Sequence, residues 1–266
     1  MADERVIKHC SYGRNGSLIL SPLTGMWSNC SALTVDPNTA SCVFLDDFTE
    51  FDVDTAAVSK WTLNNTNGTA VLGTADTHGL GGVVVLTVGA VDNDYASIKV
   101  TTTNTGAPFM IVSNSGRRLW FEARLYMSAA ADESIYVGLF TDSVTEPGLD
   151  NAGTENLGAT DDGIYFRTAN ATPTELDWAC TKNGTETEVG GGIVTWAATT
   201  WTRIGFYFDG VTSVVPYVDG TPYAVMSTAL TNFPDDIGLT PLVYLKDGAA
   251  VQKIMWLDYV ICVQER

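Results

Sequence analysis

Residues 201–226 read WTRIGFYFDGVTSVVPYVDGTPYAVM. In the first segment Thr202, Ile204, Phe206 and Phe208 fall on one side, and Trp201, Arg203, Gly205 and Tyr207 on the other. Successive side chains of a strand point to opposite faces, so this alternation predicts a strand. Asp209-Gly210 supplies a turn, because glycine takes positive φ at no steric cost. Asp219-Gly220 repeats the signal after 213–218. Two Asp-Gly turns flanked by aromatic and β-branched runs predict an antiparallel meander.

Outward from this stretch the chain continues as strands. Short strands are predicted at 60–63, 69–72, 82–88, 93–102 and 109–112, and 44–51 (FLDDFTEF) opens the regular part. The segment 117–127 alternates Leu119, Phe121, Ala123, Leu125 and Met127 against Arg118, Trp120, Glu122, Arg124 and Tyr126, and 134–141 is expected to pair with it across a turn. Strands at 164–168, 175–181 and 185–189 follow, the last two joined by Asn183-Gly184, a type I′ hairpin signal. Gly190-Gly191-Gly192 marks a hinge or bulge. A strand at 237–245, interrupted by Pro241, precedes the last, 251–263, where Ile254, Trp256, Asp258, Val260 and Cys262 are expected to share a face. No long amphipathic helix and no fixed repeat is evident, which predicts an all-β, two-sheet sandwich. Residues 1–43 differ in pattern and read as an N-terminal arm or strap; 44–266 read as the sandwich.

Several of these stretches resemble one superfamily. WTRIGFYFDG followed by YVDG, the early Asp-Phe of 47–48 before Trp61, FEAR in 121–124 followed by VGL in 137–139, and LDYV in 257–260 are similar to the concanavalin A-like (laminin-G-like) jelly-roll sandwiches. The resemblance implies an antiparallel two-sheet jelly roll whose closing strand returns beside the opening one. That fold serves lectins, glycosidases and structural proteins, so it does not fix a function.

Composition narrows the classes. Lys and Arg number 14 against 31 Asp and Glu, a net charge of −17. Such a surface repels phosphate backbones, so no nucleic-acid partner is expected. No apolar run approaches the roughly 20 residues of a membrane helix, so no membrane partner is expected either. The opening residues lack the charged-then-apolar pattern of a secretory signal, from which synthesis in the cytoplasm is expected. Hydrophobic residues make up 45% and mean hydropathy is +0.08, consistent with a thick core or an extensive interface. The five cysteines (10, 30, 42, 180 and 262) show no zinc-type spacing and read as reduced thiols.

Chemistry-bearing groups are sparse. The glycosidases of the superfamily carry Glu-x-Asp-x-x-Glu on one strand, and this sequence has no match. Glu186-Thr187-Glu188 comes nearest and reads as a solvated edge. His9 and His78 lack a nucleophile motif beside them. The chain is therefore expected not to be an enzyme and to need no cofactor, with one reservation. Hard cations take carboxylate oxygens. If the opening and closing strands pair, Asp46, Asp47 and Asp258 meet and are the calcium candidates; Asp161 and Asp162 form a second acidic group. For a glycan, Trp61, Trp120, Trp178, Trp196 and Trp201 are the available platforms.

Over 44–266 the small-residue-rich, acidic β pattern also resembles capsid decoration (cement) and other structural proteins of tailed bacteriophages. That resemblance implies a non-enzymatic virion protein, made in the host cytoplasm and placed on the capsid exterior. It would bind the major capsid protein and itself, as a trimer or dimer. The alternative expectation is a lectin-like carbohydrate-binding module, and after it a glycosidase.

Overall fold

The computed structural model describes residues 26–27, 30, 41–53, 59–73, 82–100, 106–129, 133–144, 148–149, 155–156, 158–169 and 172–266. In chain order the strands are β1 (Ser41–Asp46), β2 (Trp61–Thr66), β3 (Thr69–Leu72), β4 (Val84–Thr87), β5 (Tyr95–Val100), β6 (Leu119–Met127), β7 (Glu133–Phe140), β8 (Gly148–Leu149) and β9 (Glu155–Asn156). They continue with β10 (Gly163–Ala169), β11 (Thr172–Lys182), β12 (Thr185–Thr195), β13 (Thr202–Phe208), β14 (Ser213–Val218), β15 (Thr221–Pro222), β16 (Met226–Ser227), β17 (Thr240–Asp247) and β18 (Ile254–Glu265).

Two antiparallel sheets face each other. Sheet I runs β15-β14-β13-β6-β18-β4-β3, with β1 also on β18 and β16 on β14; sheet II runs β12-β11-β10-β7-β17-β5-β2. The Asp-Gly turns form the meander in sheet I. Gly210 and Gly220 have φ of 81° and 83°, and the Asp209 carboxylate accepts the backbone N–H groups of Val211, Thr212 and Ser213. In sheet II Asn183 and Gly184 both take positive φ, 51° and 69°, as a type I′ turn requires, and β11 and β12 extend the hairpin well beyond it.

The core between the sheets is aromatic at its centre. Phe121 of β6 and Phe206 of β13 stand opposite each other and stack at 5.2 Å. Phe206 reaches across to Trp178 of β11 at 5.3 Å, and Trp178 packs on Phe166 of β10 at 4.8 Å. All four are buried. Each such ring pair adds roughly 0.5–1.5 kcal/mol beyond its area burial.

Four expectations change. The 134–141 strand does not pair with 117–127: β6 lies in sheet I, whereas β7 lies in sheet II between β10 and β17. The opening strand ends at Asp46, because Asp46 accepts the Phe48 N–H at 3.0 Å and Phe48 turns to a φ of 50°. Residues 109–112 contribute only a bridge from Phe109 to Leu239. The last strand does not keep one alternation. A bulge between Leu257 and Tyr259 shifts its phase, so Met255, Leu257, Val260 and Cys262 face the core while Ile261 and Val263 face outward. The bulge lies where β18 exchanges neighbours: residues 254–257 pair with β4, and 260–265 with β1. A bulge re-aims a strand, and here it lets one strand serve two.

Gly138 sets the spacing of β7 and β10. A Cβ there would stand 2.2 Å from the Ile164 carbonyl oxygen and 2.7 Å from the Tyr165 Cα. Gly138→Ala is expected to destabilise the fold by about 1–3 kcal/mol, since a packed interior resists overfilling. Urea unfolding of the two proteins checks this.

Candidate functional site

The outward face of sheet II carries most of the chemistry. Strand alternation sends Ile135, Val137 and Leu139 of β7 into the core and leaves Tyr136 and Phe140 on the other side. Tyr165 of β10, Tyr244 and Leu242 of β17, and Tyr95 of β5 share that outer face. The rings form a continuous row, and all but the half-buried Tyr95 are fully buried. Tyr95 stacks on Tyr244 at 5.7 Å, Tyr244 meets Tyr136 edge-on at 5.9 Å, Tyr136 meets Tyr165 at 5.2 Å, and Tyr165 stacks on Phe140 at 4.9 Å. At the β5 end Lys99 is buried. Its Nζ donates to the carbonyls of Asp142 and Val144 and pairs with the Asp142 carboxylate, which brings Val144 onto the row.

At the other end the row meets charge. Tyr165 donates its hydroxyl to Glu186 Oε2 at 2.6 Å. Arg167 Nη2 reaches Glu186 Oε1 at 3.0 Å, Glu188 Oε2 at 2.9 Å and Asp177 Oδ2 at 3.8 Å. Arg167 stands opposite Asp177 across β10 and β11, while Glu186 and Glu188 come from β12 opposite Thr181 and Ala179. Glu188 opens to solvent, with its side chain 43% exposed. The three glycines are a bulge, and it shapes this corner. A Cβ on Gly191 would fall 2.4 Å from Glu188 Oε1, and the Gly192 N–H donates to Asp177 Oδ1 at 2.7 Å. Burial raises the Asp177 carboxyl above its ordinary range, more than the Gly192 bond and Arg167 lower it.

β12 is an edge strand and Glu188 opens to solvent, as read from the sequence; Glu186 differs, being bonded to Tyr165 and Arg167. A motif search along one strand misses the corner, because the acidic groups assemble across β11 and β12. The signal available in sequence was the Gly-Gly-Gly bulge two residues after Glu188. The tryptophans offer no open platform. Trp61, Trp178 and Trp196 lie in the core, and Trp120 lies beneath Met26 and Trp27. Trp201 is half-buried, with the Arg124 guanidinium 4.8 Å from its ring centroid. The row on the outer side of sheet II is built from tyrosines and Phe140, and it too is buried.

The opening and closing strands pair, with Asp46 opposite Val260. The three calcium candidates do not converge. Asp46 turns inward and binds the Trp61 indole N–H at 2.7 Å and Lys60 Nζ at 3.0 Å, which staples sheet I to sheet II. Asp47 accepts from Thr49, and Asp258 pairs with Arg124 at 2.7 Å. Among the described residues no three His, Cys, Asp or Glu side chains are grouped to hold a metal. Asp161 accepts from the Gly158 N–H and Ser143, and Asp162 accepts the Asn183 N–H at 2.7 Å, so both brace the β11–β12 turn. Of the cysteines, 42, 180 and 262 are free thiols; burial pushes Cys180 up to about 12. Cys10 and both histidines lie outside the described residues, as does most of 145–157. No helix among the described residues is long and apolar enough to cross a membrane.

No family of known proteins matches the sequence, and no curated protein matches it. Solved structures do. A protein of unknown function from Shewanella oneidensis MR-1 superposes with a TM-score of 0.56 at 15% identity, over 90% of this chain and 92% of that one. The carbohydrate recognition domain of Emp47p gives 0.53 at 13% identity, over 86% and 98%. A prokaryotic β-1,3-1,4-glucanase (lichenase) derived from a mouse hindgut metagenome gives 0.51 at 14%, over 84% and 98%. At these identities the likeness is one of fold, and the fold is the concanavalin A-like jelly-roll sandwich. The expectation that the chain is not an enzyme is corrected. It rested on the missing one-strand motif, yet a glucanase wears this fold, and here carboxylates gather without that motif.

Two outcomes test this geometry. Asp46→Ala is expected to cost about 2–4 kcal/mol by leaving a buried indole N–H unpaired and a sheet-to-sheet staple cut, read by urea unfolding. A carboxyl raised by burial contributes fully below the ordinary carboxylate range, and that contribution is lost as pH rises through the raised value. Asp177→Asn is therefore expected to gain stability relative to the parent between pH values near 4 and near 7. An unchanged difference across that span would rule it out.

Proposed function

We propose that this chain is a carbohydrate-recognising jelly roll whose ligand site is the solvent-facing end of the sheet II corner at Glu188, backed by the buried Tyr165, Arg167 and Asp177 and by Glu186. The observation that carries this reading is the junction itself: an aromatic row ending in a bonded set of three carboxylates and one guanidinium, with Glu188 at the solvent boundary. The buried rings hold the corner rigid, and fixed donors and acceptors at its open end suit sugar hydroxyls. The Emp47p domain and the lichenase, one a carbohydrate recognition domain and the other a glucanase, support the same direction. Paired carboxylates are also the acid and base groups of glycoside hydrolysis, so turnover belongs beside binding in the test.

A second reading is favoured by the resemblance of 44–266 to tailed-phage structural proteins and by the acidic net charge of −17. In it the chain decorates the exterior of a virion, binds the major capsid protein and self-associates as a trimer or dimer. Interface burial would supply the energy, and a like-charged exterior would limit further association.

A glycan array followed by calorimetry on the best hit decides the first reading. The parent protein is expected to bind, and Glu188→Ala to weaken binding at least about tenfold, roughly 1.4 kcal/mol, with its unfolding midpoint held. Reducing-sugar release from the same glycan reads hydrolysis. No binding to any glycan, together with a stable oligomer by light scattering and co-sedimentation with a shell, would set the second reading in its place.

A further inference from the structure

The outer face of sheet I carries a polar cluster on the opposite side of the sandwich from the Glu188 corner. Arg124 of β6 and Arg203 of β13 are register partners. Their chain neighbours Ala123, Leu125 and Ile204 face the core, so strand alternation sends both guanidinium groups outward, side by side. Their acidic partners stand on the far sides. Asp258 of β18 takes Arg124 Nη1 at 2.7 Å, and Asp219, in the turn after β14, lies 3.9 Å from Arg203 Nε. The bulge of β18 is what supplies Asp258: it is the extra residue between Leu257 and Tyr259, placed beside Arg124.

Across this face the charges therefore run minus, plus, plus, minus. Like charges directly opposite on neighbouring strands oppose their pairing. Glu122, the next outward residue of β6, relieves this only in part. Its oxygens accept from the Trp27 indole N–H and the Tyr259 hydroxyl, and it acts on Arg203 through space. The Trp201 ring holds the Arg124 guanidinium in place at 4.8 Å, and the Arg124 Nε and Nη2 are not the atoms that meet Asp258. Trp201 packs in turn on Tyr126 at 5.5 Å, and Tyr126 on Trp256 at 5.3 Å. Arg124, Arg203, Tyr126 and Trp201 are all half-buried, so the two cations and two of the rings reach the surface together.

We propose that this face binds a monocarboxylate, its charged group between Arg124 and Arg203 and its apolar part beside Trp201 and Tyr126. The fork of a guanidinium matches the geometry of a carboxylate. An oxyanion set between two like cations turns one repulsion into two attractions. A single negative charge fits better than two, because Asp219 and Asp258 already offset the arginines and the chain carries a net charge of −17. The adjoining rings favour an apolar body over a bare ion. The site shares no residue with the Glu188 corner, so it stands independently of the carbohydrate proposal.

Benzoate is the probe, with benzamide as its uncharged isostere and acetate as the carboxylate without a ring. Thermal unfolding of the full chain at neutral pH and constant ionic strength reads binding, since a ligand of the folded state raises the midpoint as its concentration rises. Benzoate is expected to raise the midpoint progressively, acetate to raise it less, and benzamide to leave it unchanged. In Arg203→Gln, which leaves Arg124 and Asp258 paired, the benzoate concentration needed for a given rise should increase at least about tenfold. Asp219→Asn keeps a residue that tolerates the positive φ of 49° there and removes a competing acid, so it should strengthen benzoate binding several-fold. This second variant serves even where Arg203→Gln fails to fold. Glu188→Ala should keep the full response. A parent midpoint that benzoate leaves unchanged, or a benzamide response equal to that of benzoate, would overturn the proposal. So would an Arg203→Gln response equal to the parent's, or weaker binding by Asp219→Asn. An acetate response as large as that of benzoate would overturn the part given to the rings.

Discussion

The contact on which this molecule depends is the ring train Phe121–Phe206–Trp178–Phe166, which passes from one sheet to the other. Two facing sheets must stand about 10 Å apart, and large interlocking rings fill that gap with few atoms and few rotamers. Once those positions face inward, the period of two fixes everything else. Arg203, Gly205 and Tyr207 are forced to the exterior of sheet I, and Tyr165 and Arg167 to the exterior of sheet II. The exterior chemistry is thus a by-product of core phasing, and a one-residue slip would exchange it for the core.

Small residues then decide where charged groups may stand. Gly205 clears space for Met26 above Glu122, Gly191 clears space for the Glu188 carboxylate, and Gly138 lets β10 carry Tyr165 in close to β7. Aspartates do a complementary task by consuming backbone donors at turns: Asp209 in the meander, Asp162 at the β11–β12 hairpin, Asp247 before β18. Much of the chain's excess acid is spent in this way, on tying the chain to itself.

The sequence made the strands visible wherever a turn was local. Asp209-Gly210, Asp219-Gly220 and Asn183-Gly184 each specify a hairpin through φ alone, and the predicted 69–72 strand agrees with β3. Long-range choices were not written in the period. Nothing in the alternation of 117–127 and 134–141 says that they belong to opposite sheets, since both simply present one apolar face. The 251–263 strand misled because one bulge at 257–259 reverses the facing of every residue after it. The tryptophans were available as platforms for a glycan, but most tryptophans of a sandwich belong to its core, and their size suits the inter-sheet gap. Tyrosines and Phe140 took the row on the far side of sheet II, buried like the core tryptophans. The acidic corner was invisible because its members lie on different strands and meet only through the register of β10, β11 and β12.

The Gly190–Gly192 bulge has an effect beyond aiming Glu188. β12 is the longest edge strand of the sandwich, and the bulge breaks its ladder partway along. Among the described residues the other rims are shorter: β15 has two residues, β3 four, β2 and β1 six each. A long uninterrupted edge invites a neighbouring chain to add a strand, and the bulge denies that on the longest one. Along β12, at least, the bulge works against a second chain extending the sheet into a shared ladder.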